Sequence, residues 1–253
     1  MQSEMKEADT HQQKLEEWQV RKDLAAAYRL VALYGWDDLV FTHLSARVPG
    51  PEHHFLINPY GLLFHEITAS SLIKVNQDGT IVQSGSVHRV NPAGFTIHSA
   101  VHMSREDAGA VVHLHAPDGV AVSAHRDGLL PLSQTAMLCL GHLSYHGYEG
   151  VALNLDERER LTRDLGNARM MLLRNHGTLT VGRTVAEAFT YMYFLMKACE
   201  IQVRTLSCGP TYLPTEEAIE TTRVQSEELG KAATLTWPAL LRLLDSRSPG
   251  YAI

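Results

Sequence analysis

The chain is predicted to fold as an α/β domain whose early strands pair antiparallel. Short alternating runs separated by turn signals follow the first helix, from Leu39 to Val82. Through the middle, short apolar runs alternate with helical patterns. Farther on, the run Phe189 to Met196 is apolar nearly all the way round, so the helix carrying it has to be covered on several sides.

The elements follow in order. Residues 1–12 are polar and are expected to be disordered. From Leu15, the residues Trp18, Leu24, Tyr28, Val31 and Tyr34 recur at helical spacing, and Gly35 supplies a stop. Leu39 to Ala46 alternates as a strand does, and the Pro49-Gly50-Pro51 turn leads to a partner at His54 to Ile57. Ile73 to Val75 and Thr80 to Val82 flank Gln77-Asp78-Gly79, a second hairpin signal. Asn91-Pro92-Ala93-Gly94 opens a helix carrying His98 and His102, with proline in its first turn. Val111 to His115 reads as a strand closed by Pro117, where a helix to about His125 begins. Residues 128–154 read as mixed loop and strand. A helix from Glu157 to Leu165 ends at Gly166, and an apolar strand from Met170 turns through Arg174-Asn175-His176-Gly177 into Thr178 to Val181. Thr184 and Glu187 form a capping box at the head of the long helix to about Leu206. Residues 210–253 are expected to be a helical extension. No linker divides the 253 residues, so a single domain over 1–253 is expected.

Composition narrows the function classes. A net charge of -6 and a pI near 6.1 favour neither nucleic acid nor an anionic membrane surface. A small soluble ligand fits better. Cys139, Cys199 and Cys208 follow no metal-binding spacing and read as reduced core thiols. With no signal peptide and no apolar run long enough to span a bilayer, a cytoplasmic location is expected.

The chemistry concentrates in histidine. His113 and His115 stand two apart, so on a strand they share one face. His176 follows a second apolar run. Three neutral imidazoles with an open fourth position make a catalytic zinc or iron site. Yet fourteen histidines make one such pair expected by chance, and hydrogen-bonded, partly buried histidines are the competing reading. His98 with His102, and His142 with His146, are further pairs at i,i+4; for the first, a helix face packed on the sheet is the simpler account.

With the residues in this order, the chain resembles the class II aldolase and adducin head-domain superfamily from about Leu24 to about Leu206. The likeness rests on THLSARV, NPYGLL, ITASSLIKV, NPAGFTIHSAVH, AVVHLHAP, YHGYEG, LLRNHG and TVAEAFTYMYFLMKACEIQVRTL. It is closest to the adducin-type branch, although adducin's remaining length is absent. The resemblance implies a three-layer α/β/α sandwich with a largely antiparallel central sheet, and a homotetramer with active sites at subunit boundaries. It implies a divalent metal, zinc by preference and Fe(II) as the other choice, held by His113, His115 and His176.

The departures from the family are as informative. The glutamate that serves the aldolases as acid and base falls at Gly94. Their leaving-group tyrosine falls in the run Ser133 to Thr135, their phosphate-binding serines at Val90 to Ala93, and a phosphate-loop asparagine at His43. His43, Tyr145 and His146 are therefore the candidates for moving protons, and His43, Asn58, Gly61 and Gly94 for touching substrate. The expected activity is a metal-dependent carbon-carbon lyase, aldolase or decarboxylase, on a small oxo or hydroxy acid or a sugar-derived acid. Two alternatives stand beside it: a non-haem Fe(II) oxygenase acting on an aryl-pyruvate-like acid, and a non-catalytic adducin-like scaffold.

Overall fold

The computed structural model describes residues 2–82, 89–151 and 156–253. Seven strands form one mixed sheet in the order β3-β2-β1-β4-β7-β6-β5. They are β1 (His43–Arg47), β2 (Phe55–Ile57), β3 (Ile73–Val75), β4 (Ala110–Leu114), β5 (Leu143–His146), β6 (Met170–Leu173) and β7 (Gly177–Gly182). Every pairing is antiparallel except β5 with β6. The largely antiparallel sheet follows from the hairpin connections at both ends of the chain order.

Helices cover both faces, because each strand of the centre buries both rows of its side chains. The helices are α1 (Gln2–Leu33), α2 (Pro92–Ser104), α3 (Pro117–Ala124), α4 (Gln134–Leu140), α5 (Glu157–Leu165), α6 (Val185–Ser207), α7 (Glu216–Gln225) and α8 (Ala233–Arg247). Leu44 and Ala46 of β1 and Ala110, Val112 and Leu114 of β4 point into the larger core, with Tyr28 of α1 and Phe189 and Met192 of α6. The intervening residues face the other way. Val111 joins Met171, Leu179, Ile97 of α2 and Leu161 of α5 in a second core. The result is the α/β/α sandwich, and it fixes where the histidines go: His43, Ser45 and His113 belong to the row that faces α2.

Several expectations change. The first helix begins at Gln2 and not near Leu15, so residues 2–12 are helical; the segment holds no glycine or proline, and its Glu, Gln, Lys and Ala residues are good helix formers. The first strand starts at His43, since Leu39 sits at φ 50° and breaks the extended run. Within 128–154, residues 134–140 form α4, capped by Ser133 Oγ, which accepts from Ala136 N at 3.0 Å; residues 152–154 lie outside the described residues. Cys139 and Cys199 are buried as expected, but Cys208 is exposed past the end of α6. The extension is helical: α7, a 3-10 segment at Ser226–Ala232, and α8, which returns to pack Trp237 and Leu244 on the main core. No helix among the described residues is long and apolar enough to cross a membrane.

Candidate metal centre

His113 is the fourth residue of β4, and His115 lies just past the strand's end. His176 sits in the turn between β6 and β7, reached through Asn175 at φ 58°, a left-handed conformation asparagine tolerates. Gly177 then brings β7 against β4 where His115 projects. A Cβ there would strike the Leu114 carbonyl and come 3.3 Å from the His115 ring. That is the steric reason for a glycine after this histidine.

The three imidazoles converge. Their ligand atoms lie within 4.8 Å of one another, the one such group of histidine, cysteine or acidic residues among those described. The partners behind the rings decide what they can do. His113 Nδ1 lies 3.0 Å from the Thr178 carbonyl oxygen, which can only accept, so Nδ1 carries the proton. His115 Nδ1 lies 3.0 Å from Asp38 Oδ2, another acceptor. With both rings neutral, both Nε2 atoms are bare lone pairs, and yet they stand 3.1 Å apart. His176 Nε2 is 3.0 Å from His115 Nε2. A neutral His176 can donate its Nε2–H to one of these lone pairs, that of His115, and the His113 lone pair is still left facing it. Burial, together with His115 and His146, lowers His176 to about 4. Burial first, and then the neighbouring imidazoles, push His113 well below its usual range. A divalent cation would take the lone pairs of His113 and His115 and, with the proton of His176 on its Nδ1, that of His176 as well. Bonds of about 2.0–2.1 Å at a tetrahedral ion space imidazole nitrogens by roughly 3.3 Å, so the residues present fit the ion. The Asp38–His115 and Thr178–His113 bonds would hold both rings in the tautomer that presents Nε2 to such an ion.

His43 is the fourth imidazole. It pairs across the strands with His113 and is only 3% exposed. Neither of its ring nitrogens has a hydrogen-bond partner among the described residues. Burial, reinforced by His115, lowers it to about 3. It also explains Gly94, since a Cβ at 94 would lie under 3.0 Å from the His43 ring. The two positions form a couple: the imidazole stands where a side chain at 94 would begin.

A cavity of about 430 Å³ opens over these rings. Its walls include Asp38, Phe41, His43, Tyr60, Asn91, Gly94, His113, His115, Tyr148 and His176. Of the four positions expected to touch substrate, His43 and Gly94 line it. Asn58 and Gly61 do not: Asn58 is buried with its Oδ1 accepting from Tyr28 Oη at 2.9 Å, and Gly61 occupies a turn at φ 105°. Tyr145 points to the opposite face of the sheet, where its hydroxyl accepts from Leu129 N and the Arg174 guanidinium lies 4.4 Å over its ring. His146 is on the correct face but behind His176, with Nδ1 2.8 Å from Asp164 Oδ2 and Nε2 3.5 Å from Glu157 Oε1. His142 is held elsewhere, by the Ser226 carbonyl at 2.7 Å.

Behind His43, the pair at i,i+4 on α2 closes on one hydroxyl. His98 Nδ1 lies 2.6 Å and His102 Nε2 2.7 Å from Ser45 Oγ. His102 Nδ1 donates to the Ala108 carbonyl at 3.0 Å, so its Nε2 accepts from Ser45, and Ser45 in turn accepts from His98. Asp38 is the cavity residue that sequence patterning missed, because nothing in Trp36-Asp37-Asp38-Leu39 marks one acid over the other.

A three-layer α/β/α domain with three convergent imidazoles at one end of the sheet is the architecture of the class II aldolase fold. Residues 22–203 match the family described as the Class II Aldolase and Adducin N-terminal domain, and the chain belongs to that family. It is 58% identical over 239 residues to a Caulobacter vibrioides protein named for the class 2 aldolases, covering 93% of each chain. It is 50% identical over 198 residues to rat (Rattus norvegicus) alpha-adducin, covering 77% of this chain and 27% of adducin. The structure of L-fuculose 1-phosphate aldolase from Glaciozyma antarctica superposes with a TM-score of 0.82 at 31% identity, covering 93% of this chain and 94% of that one.

Proposed function

We propose that the protein is a metal-dependent carbon-carbon lyase, an aldolase or decarboxylase, acting on a small 2-oxo or 2-hydroxy acid. The observation that carries this is the convergence of the Nε2 atoms of His113, His115 and His176. Zinc is the proposed ion, with His113, His115 and His176 as its ligands. Fe(II) is accepted by the same donors, and iron-dependent oxygen uptake would transfer the site to the oxygenase reading. A bound divalent ion supplies Lewis acidity toward an oxo or hydroxy oxygen pair and toward enolate charge.

The chain's own residues do the rest. Asp38 and the Thr178 carbonyl hold the protons on Nδ1 of His115 and His113, so both rings present Nε2. His43, lowered to about 3, stays neutral at physiological pH and keeps one N–H and one lone pair without a partner at the cavity wall, so it can donate and accept hydrogen bonds to a reacting group but holds a proton only weakly. The glutamate that the aldolases of the resemblance place at 94 has no counterpart among the carboxylates lining the cavity. Asp38, the one acidic residue lining the cavity among the described residues, is tied to His115. His43 is the replacement.

Purified protein is expected to carry about one divalent ion per chain, and the His113→Ala/His115→Ala variant none. In D₂O, the metal-loaded protein should exchange the methyl protons of pyruvate, followed by proton NMR, because exchange reports enolate formation directly. Unchanged metal content in the double variant would end the site assignment. Metal without exchange, cleavage or decarboxylation of any oxo acid would favour the second reading, a scaffold that keeps the fold, which the adducin relationship supports.

A further inference from the structure

We propose that the substrate of this site carries one acid head and an uncharged apolar group, aryl or branched aliphatic, and no phosphate. The inference rests on the lyase reading and adds to it what the far wall of the cavity selects.

The cavity has two unlike sides. The inner side is the imidazole set, His43, His113, His115 and His176. The outer side is Phe41, Tyr60, Ile97, Tyr148 and Val151. Ile97 is buried, while Phe41 is 47%, Tyr60 40%, Tyr148 58% and Val151 71% exposed. Single exposed apolar residues need no explanation, but four around the mouth of one cavity form a patch of the kind that takes a ligand. The volume, about 430 Å³, exceeds what a three-carbon acid fills.

Charge points the same way. No lysine or arginine lines this cavity among the described residues. Arg174, two residues before His176, is turned to the opposite face and donates to the His125 carbonyl at 2.7 Å. The one acid lining the cavity among the described residues, Asp38, is tied to His115, so an ion held by the three imidazoles would be the one cationic group on offer, which suits a single carboxylate. A phosphorylated acid would bring roughly two further negative charges into a site without a cation to meet them, and unpaired buried charge is costly. An aryl or branched group instead covers Phe41 and Tyr148 and removes apolar surface from water.

The test is calorimetric titration of the zinc-loaded protein with pyruvate, phenylpyruvate and 3-phosphohydroxypyruvate. Phenylpyruvate is expected to bind on the order of ten- to a hundredfold more tightly than pyruvate, and phosphohydroxypyruvate no more tightly than pyruvate. In Phe41→Ala and Tyr148→Ala, the phenylpyruvate-to-pyruvate ratio should fall to within about threefold, with the oligomeric state by light scattering unchanged. Failure of all three acids to bind while zinc is present would overturn the lyase reading itself. Pyruvate binding without an aryl preference, or preference for the phosphorylated acid, would overturn this inference alone. So would variants that change the oligomeric state and leave the ratio intact, since the rim would then serve a second copy of the chain.

Discussion

His43 and Gly94 show how one substitution in a pocket can demand another. The imidazole is packed where a Cβ at 94 would lie, so position 94 cannot gain a side chain while His43 stays. Gly94→Ala is therefore expected to destabilise by about 1–3 kcal/mol, the usual range for forced overpacking. Most of that cost should vanish in a His43→Ala background, giving a coupling energy that a double-mutant cycle by urea denaturation would read. Additive effects would show that the two positions do not share the space. A second prediction concerns Asp38, whose carboxylate holds the proton on His115 Nδ1 at 3.0 Å. Asp38→Asn keeps the size but removes the charge that favours this tautomer. Zinc affinity, measured by competition with a chromogenic chelator, should fall about ten- to a hundredfold. An unchanged affinity would mean that the ring is oriented by packing alone.

At the scale of elements, α2 is held to the sheet by a polar contact within an apolar interface. Ser45 of β1 gives its hydroxyl proton to His102 and receives one from His98. Ser45→Ala strands two fully buried nitrogens, at about 1–3 kcal/mol each. The thermal midpoint should drop by several degrees, and amide exchange in α2 should rise more than in α6. Equal protection in both would show that the contact is incidental. This arrangement also marks how far the sequence could be read. Spacing placed His98 and His102 on one face of a helix and packed that face on the sheet, and the alternation of β1 put His43 and Ser45 on a common row. Spacing could not bring the serine to the histidines, because that depends on register between β1 and β4, where Ser45 opposes Val111. The pairing of His113 and His115 was readable from their spacing on one strand face, whereas His176 joined them only through the family resemblance; the contact that requires Gly177 after it is visible only in the fold. Asp38 was not readable, since a loop acid carries no period. α4 was hidden by its brevity: seven residues hold too few turns for a 3.6 period to stand out, and only the cap at Ser133 signals it.

At the scale of the whole molecule, the buried imidazoles tie stability to pH. His43 is lowered to about 3 and His102 to about 4, both chiefly by burial, and His98 is lowered well below its usual range for the same reason. In the unfolded chain all three titrate near 6.5. Above that pH they are neutral in both states and have no effect on folding. As the pH falls below 6.5, the unfolded state takes up protons that the folded state refuses, so folded stability declines toward the folded-state values. At pH 5 the loss is about 2 kcal/mol per histidine, and these three, joined in the metal-free protein by His113 and His176 lowered in the same way, approach the whole stability of an ordinary domain, about 5–15 kcal/mol. Asp107, lowered to about 2 mainly by Arg105, loses its contribution only below about 4, outside this window. Metal-free protein is therefore expected to show a urea midpoint that falls steeply between pH 6.5 and 5. His43→Asn, which removes one of the three groups without opening a large cavity, should make that fall shallower by about one proton. A midpoint that holds constant or rises over this interval would mean that the imidazoles reach solvent and protonate within the folded state.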